Sequence, residues 1–244
     1  MSSFPVVHTC DEHSSVYYHL VASGARGVSL THLDAHCDLK GTLIDRNAGR
    51  AWLRRADLPV SPSTYLSHLV AEGIAGEVEW VHDEVGGRPN DLGTVLYTSD
   101  LTRLAYLMVR RPAGPGVAIT YGETDFAAWR QRDAECVLDI DWDFFADWRK
   151  TEERSSREIE LLLGEKLELA PRRVYVAYSS QYSRPGRAAY DEFVRRLAQR
   201  LGARVEAIPE APIPSAGGFA RALPPVLRRA LRASALRLKR VWFR

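Results

Sequence analysis

The sequence predicts a three-layer, doubly wound α/β fold on a mostly parallel sheet of about eight strands. Three observations lead there. Short runs rich in β-branched residues alternate with longer amphipathic stretches, the pattern of repeated strand–helix–strand units. Several short runs are almost continuously apolar, as strands buried on both faces are. The length of 244 residues, with 45% hydrophobic and 26% charged residues, suits one sizeable core with a short appendage.

In chain order, strands are expected at 5–8 (PVVH), 28–33 (VSLTHL), 78–82 (VEWVH), 94–98 (TVLYT), 117–121 (VAITY), 136–140 (CVLDI), 174–178 (VYVAY) and 205–208 (VEAI). Helices are expected at 14–23, 63–75, 101–110, 155–167 and 187–201. Asp100 is placed to cap the third helix, and Ser155 the fourth, where Glu158 completes a capping-box pattern. The prolines and glycines of 209–218 (PEAPIPSAGG) mark a linker. Beyond it a helix is expected from near Pro225, with Leu227, Leu231, Ala235 and Leu238 on one face and Arg228, Arg229, Arg232, Arg237 and Lys239 mostly elsewhere. The organisation is therefore a domain over 1–210 followed by a linker and basic C-terminal helix over 211–244. No internal repeat is visible.

The composition excludes a disordered chain, a collagen-like repeat and a small disulfide scaffold. No apolar run approaches the roughly 20 residues of a membrane span, and the N-terminus lacks a basic region followed by an apolar stretch. Three cysteines, an odd number, argue against a secreted disulfide framework and point to a reducing cytoplasm. Of 33 basic residues only Lys40, Lys150, Lys166 and Lys239 are lysines, and residues 219–244 carry eight basic groups and no acid. That tail admits three readings: nucleic-acid binding, contact with a membrane surface, or packing against acidic surface of its own domain or an acidic leader peptide. No recognition motif accompanies it and the net charge is only +2, so the expectation is no nucleic-acid partner and no integral membrane segment.

In doubly wound sheets, ligands bind at the carboxyl ends of the strands. Three acid- and histidine-bearing segments lie there: Asp11-Glu12-His13 after 5–8, Asp34, His36 and Asp38 in HLDAHCDL after 28–33, and Asp139, Asp141 and Asp143 in VLDIDWDFF. In extended chain, residues i and i+2 point the same way, so each alternating set can converge on one point. Carboxylates gathered at the end of an apolar strand are costly unless a cation neutralises them. A divalent metal pair would do so, and acids with a few imidazoles suit manganese better than thiolate-seeking ions. A single such motif also fits a polar loop with solvated acids and a structural histidine. Two on separate strands, beside Asp11-Glu12-His13, favour a metal centre.

Asp34-Ala35-His36-Cys37-Asp38 and Asp139-Ile140-Asp141 resemble the two metal-binding signatures of the arginase/ureohydrolase superfamily, DAHxD and DxD. His13 resembles the histidine that the family places near its first strand. The context (DEH, HLDAHCDL, VLDIDWDFF, VYVAYSSQYS) is similar to a divergent branch that includes the peptide arginases, which convert arginine side chains of ribosomal peptides to ornithine. The resemblance spans most of 6–185, and its specificity lies in the two Asp/His motifs. It implies an arginase/deacetylase-like fold with two Mn²⁺ per chain. His13, Asp38, Asp139 and Asp141 would hold one ion, and Asp34, His36, Asp38 and Asp139 the other. A metal-bridging hydroxide would attack the guanidinium carbon, and the tetrahedral intermediate would collapse to urea and an amine. The implied catalytic groups are Asp38 and Glu12. The implied substrate contacts are Asp11, Asp143, Ser180 and Gln181, and the implied partner is an arginine-containing precursor peptide in the cytoplasm.

The chain departs from free-arginine enzymes in two places. Residues 39–66 contain no histidine, which leaves the proton donor to the leaving amine unassigned. The acid usual on a later strand gives way to Ser179-Ser180-Gln181-Tyr182-Ser183, which can orient a guanidinium or a peptide backbone or form an ordinary polar turn. His8, His19, His68 and His82 read as structural, and Cys37 as a buried filler. Trp142 suits either the site mouth or the core. Two other functions share the motifs: a deacetylase-like amidohydrolase, which typically needs one zinc, and a binding module without catalysis.

Overall fold

The main sheet has seven strands, all parallel, in the order β11-β1-β10-β9-β2-β5-β8. They are β1 (Val6–Cys10), β2 (Val28–Leu33), β5 (Ala75–His82), β8 (Thr120–Asp125), β9 (Val137–Asp141), β10 (Arg173–Ala177) and β11 (Arg204–Ala207). A smaller sheet, in the order β6-β3-β4-β7, is formed by β3 (Thr42–Asp45), β4 (Arg50–Leu53), β6 (Val95–Leu96) and β7 (Val117–Ala118). The computed structural model describes residues 5–39, 42–45, 50–53, 59–83, 95–96, 117–147, 149–180, 183 and 186–211. The helix expected at 101–110, its cap Asp100, and the linker and basic helix from 212 onward lie outside the described residues.

Helices cover both faces of the main sheet, because the strands alternate between two apolar sides. On one face α1 (Ser15–Ala22) and α2 (Tyr65–Ala71) pack over Leu30, Val78, Trp80, Val137 and Tyr175. On the other, α3 (Asp143–Ala146), α4 (Glu152–Leu161) and α5 (Arg187–Leu201) pack over Leu33, Val81, Leu138, Ile140, Val174 and Val176. These are the three layers expected. Among the described residues no helix is long and apolar enough to cross a membrane.

The strand order places the functional edge. From β2 the chain winds outward through β5 to β8; from β9 it winds the other way through β10 to β11. β2 and β9 are neighbours, so the direction of winding reverses between them. Such a switch point leaves a crevice beyond the carboxyl ends of the two strands, where no crossover covers the sheet. The loops after β1, β2, β9 and β10 meet there.

Four expectations change in detail. The run at 94–98 joins the small sheet through β6, and the run at 117–121 is divided between β7 and β8. Ser155 does not cap its helix: Thr151 is the N-cap and accepts from the Arg154 amide. Ser155 lies one turn inside and donates to the Thr151 and Phe145 carbonyls, while Glu158 pairs with Lys150 and Arg154. The helix expected to run to 167 is regular only to Leu161 and finishes as a wider π turn, Leu162–Lys166.

Candidate metal centre

His13, His32, Asp34, Asp38, Asp139, Asp141 and Asp143 are all buried at the switch point, and His32 and Asp139 face each other across β2 and β9. Strand alternation puts Asp139 and Asp141 on the α1/α2 face of β9 with Val137. It likewise puts His32 on that face of β2 with Leu30, and Asp34 follows one residue past the strand end.

The donor atoms form two sets that share one carboxylate. His13 Nδ1 lies 3.0 Å from Asp141 Oδ2 and 3.5 Å from both Asp34 Oδ2 and Asp38 Oδ2. On the other side of Asp34, His36 Nδ1 lies 3.6 Å from Oδ1 and 3.0 Å from Asp143 Oδ2. Asp34 therefore turns one oxygen to each set. The His36 amide holds Asp34 Oδ1 at 2.6 Å, and the Asp143 amide donates to Asp141 Oδ1 at 3.1 Å. His13 with Asp34 and Asp141, His32 with Asp34 and Asp38, and Asp34 with His36 and Asp143 each bring ligand atoms within 4.8 Å of one another.

Buried atoms left without a hydrogen bond support a cation here. Asp143 Oδ1 has none, and Asp34 Oδ2 meets only ring nitrogens, His32 Nε2 at 3.2 Å and His13 Nδ1 at 3.5 Å. An orphaned carboxylate oxygen in an apolar interior is costly, and a cation between two such sets would remove that cost. The donors, oxygen and imidazole with no thiolate, match a divalent ion of the manganese type. All three cysteines are free and buried; Cys37 and Cys10 belong to the α1/α2 core.

The electrostatics show how tightly these charges compete. Burial raises the carboxyls of Asp38 and Asp143, and neighbouring Asp34 and Asp141 respectively push them further up. For Asp34 and Asp139 burial also raises, but His32 and His13 respectively outweigh it and hold both well below the usual range. Burial would lower His13, yet Asp139 and Asp141 raise it well above its ordinary value. Burial is likewise outweighed at His32, pushed up to about 10 by Asp34 and Asp139. His36 is pushed up to about 12 by its bonds to Asp143 and Asp34. Protons on imidazoles here do what a metal ion would do with more charge in less space.

Two loops at the site hold strained backbone. Asp38 and Ser179 have φ of 47° and 48°, left-handed values uncommon for residues other than glycine. At Asp38 this bend, not strand alternation, returns the carboxylate to the cluster. At Ser179 it turns the hydroxyl onto Asp141 Oδ2, at 2.8 Å.

Glu12 is half-buried beside His13, with its carboxylate 3.4 Å from Ser14 Oγ and its carboxyl raised by burial. Asp11 faces the surface, paired with Arg187, whose guanidinium lies over the Tyr178 and Tyr190 rings. Asp143, whose implied role is substrate contact, lies with Oδ2 3.0 Å from His36 Nδ1. Ser180 is exposed, and Gln181 lies outside the described residues. Trp142 is buried against Phe145, Tyr190 and Phe193, which makes it a core residue. His8 and His19 pack with Tyr175 away from the acids.

Two side chains of the site, His32 and Tyr65, carry no site role in the sequence reading, and a third, Ser179, has a partner other than the guanidinium or peptide backbone it suggests. His32 obeys the alternation applied to its neighbours, extended one step towards the N-terminus. Ser179 opens the polar run after β10. Tyr65 gave no signal: it is the first residue of α2, and only the packing of α2 on the sheet brings its hydroxyl to Asp139.

No protein-family model matches the chain, and no curated protein matches it. Among solved structures it is similar to arginase from Medicago truncatula, at 15% identity and a TM-score of 0.40. The alignment covers 82% of this chain and 57% of that one, so the chain spans little more than half its length.

Proposed function

We propose that the protein is a dinuclear metal-dependent hydrolase that converts arginine side chains of a peptide to ornithine with release of urea. The carrying observation is Asp34, with one oxygen turned to each of two donor sets. His13 Nδ1, Asp34, Asp38 and Asp141 would hold one ion. Asp34, His36 and Asp143, beside Asp141, would hold the other. Asp143 thereby moves from the substrate to the ligand set, and Asp139 leaves it. When bound, such a pair supplies Lewis acidity and an activated water.

The chain's own groups supply the rest. A concentration of buried acids favours a cationic guanidinium over a neutral amide substrate. Glu12, half-buried at the edge and adjacent to His13, is the carboxylate to orient that cation. Ser179 fixes Asp141, and the Asp143 amide fixes its second oxygen. The site opens where His36 lies, its side chain 54% exposed, whereas the other donors are sealed. An opening on one edge suits a long side chain entering from a peptide backbone that stays outside. The resemblance to peptide arginases supports the same substrate.

The test is urea release from arginine-containing peptides and from free arginine, with Mn²⁺ and after chelation. We expect urea from peptide with metal and none after chelation. No urea from any peptide, with metal shown to be bound, would contradict the reading.

A further inference from the structure

We infer that Asp139, His32 and Tyr65 form a buried support that fixes the orientation and tautomer of His13, making Asp139 a positioning residue and not a metal ligand. The inference rests on the reading of the cluster as a metal centre and deepens it. It follows from the two edges of one imidazole. His13 Nδ1 faces Asp34, Asp38 and Asp141, whereas Nε2 faces the other way, 3.0 Å from Asp139 Oδ1. A carboxylate that bonds Nε2 lies on the far side of the ring from an ion on Nδ1.

His13, His32 and Asp139 also bring donor atoms close enough for an ion of their own. The Tyr65 hydroxyl occupies that space. It lies 3.0 Å from His13 Nε2 and 3.2 Å from His32 Nδ1, and donates to Asp139 Oδ2. His13, His32, Asp139 and Tyr65 are all fully buried. The hydroxyl has one proton and gives it to Asp139, so the two facing ring nitrogens must be N–H donors. Asp139 accepts from both rings, at 3.0 Å from His13 and 3.1 Å from His32. With one proton kept on Nε2 by this support, an ion that displaces the Nδ1 proton would meet the Nδ1 lone pair, on the side of Asp34, Asp38 and Asp141. Carboxylate support of a ligating imidazole fixes the ring and makes it more basic, and its loss typically lowers metal affinity 10- to 100-fold, roughly, without removing the site.

The experiment measures Mn²⁺ stoichiometry and affinity in the full chain for wild type, Asp139→Asn, Tyr65→Phe and Asp141→Asn, and records imidazole ¹⁵N spectra of the Zn²⁺-loaded wild type. We expect Asp139→Asn and Tyr65→Phe to keep the wild-type number of ions with affinity lowered about 10- to 100-fold. Asp141→Asn loses at least one ion. In the spectra His13 is bound through Nδ1 and protonated on Nε2. Loss of an ion from Asp139→Asn at saturating Mn²⁺, unchanged affinity in Tyr65→Phe, or coordination of His13 through Nε2 each overturns the inference alone. A wild type that binds no metal overturns the metal-centre reading, and this inference with it.

Discussion

At the residue scale, the site separates where the chain stops being a strand. Alternation holds within β9, where Asp139 and Asp141 share a face, and in β2 up to Asp34. Past Leu33 the backbone is no longer extended, so His36 and Asp38 go separate ways. His36 turns out to Asp143, and Asp38 returns through a left-handed bend. Asparagine tolerates that conformation, so Asp38→Asn should melt within a few degrees of wild type but bind Mn²⁺ at least about tenfold more weakly. Calorimetric melting and a metal titration check both. The imidazoles make a second prediction. His36 is pushed up to about 12 by Asp143 and Asp34, and His13 is also raised, chiefly by Asp139 and Asp141, so protons compete with a metal for both rings. A metal needs a lone pair on each, so binding releases protons and affinity rises with pH across the neutral range. Titration calorimetry in buffers of different ionisation enthalpy should show that release. The residue types were legible in the sequence. Their division into ligands and supports was not, because it depends on which edge of His13 each acid meets.

At the scale of elements, the parallel strands were legible from their apolar runs and the short antiparallel ones were not. β3 and β4 are four residues each and include Asp45 and Arg50, so no apolar run marks them. The N-cap of α4 was misplaced by one turn because Ser155 and Glu158 mimic a capping box. Thr151→Ala should therefore cost about 1 kcal/mol, read by denaturant unfolding, and Ser155→Ala should not act through the cap. Lys150, one of only four lysines, is buried among Glu158, Asp83 and the Phe144 carbonyl, tying the loop after β5 to α4. Lys150→Met leaves those acids undercompensated and should destabilise by about 3 kcal/mol. β1 carries an acid-sensitive contact as well. Burial, then neighbouring His19, pushes His8 down to about 4 from 6.5. Between those values the unfolded chain binds more protons than the folded one, so stability increases with pH through that window and falls on acidification. His8→Phe should flatten this limb of the stability–pH curve.

At the scale of the molecule, winding reverses between β2 and β9, and the acids collect where it does. The net charge of +2 conceals five aspartates, Asp34, Asp38, Asp139, Asp141 and Asp143, buried in one crevice. Among the described residues, arginines form surface pairs such as Arg132–Glu168 and Arg196–Glu160, which contribute little to stability. In the proposed centre one carboxylate, that of Asp34, stands between two donor sets. The most direct measurement is electron paramagnetic resonance during Mn²⁺ titration of the 244-residue chain. Two ions per chain with the magnetic coupling of a bridged pair are expected, and one uncoupled ion or none in Asp34→Ala. A single, magnetically isolated Mn²⁺ in the saturated wild type, or no bound Mn²⁺, would contradict the proposed centre.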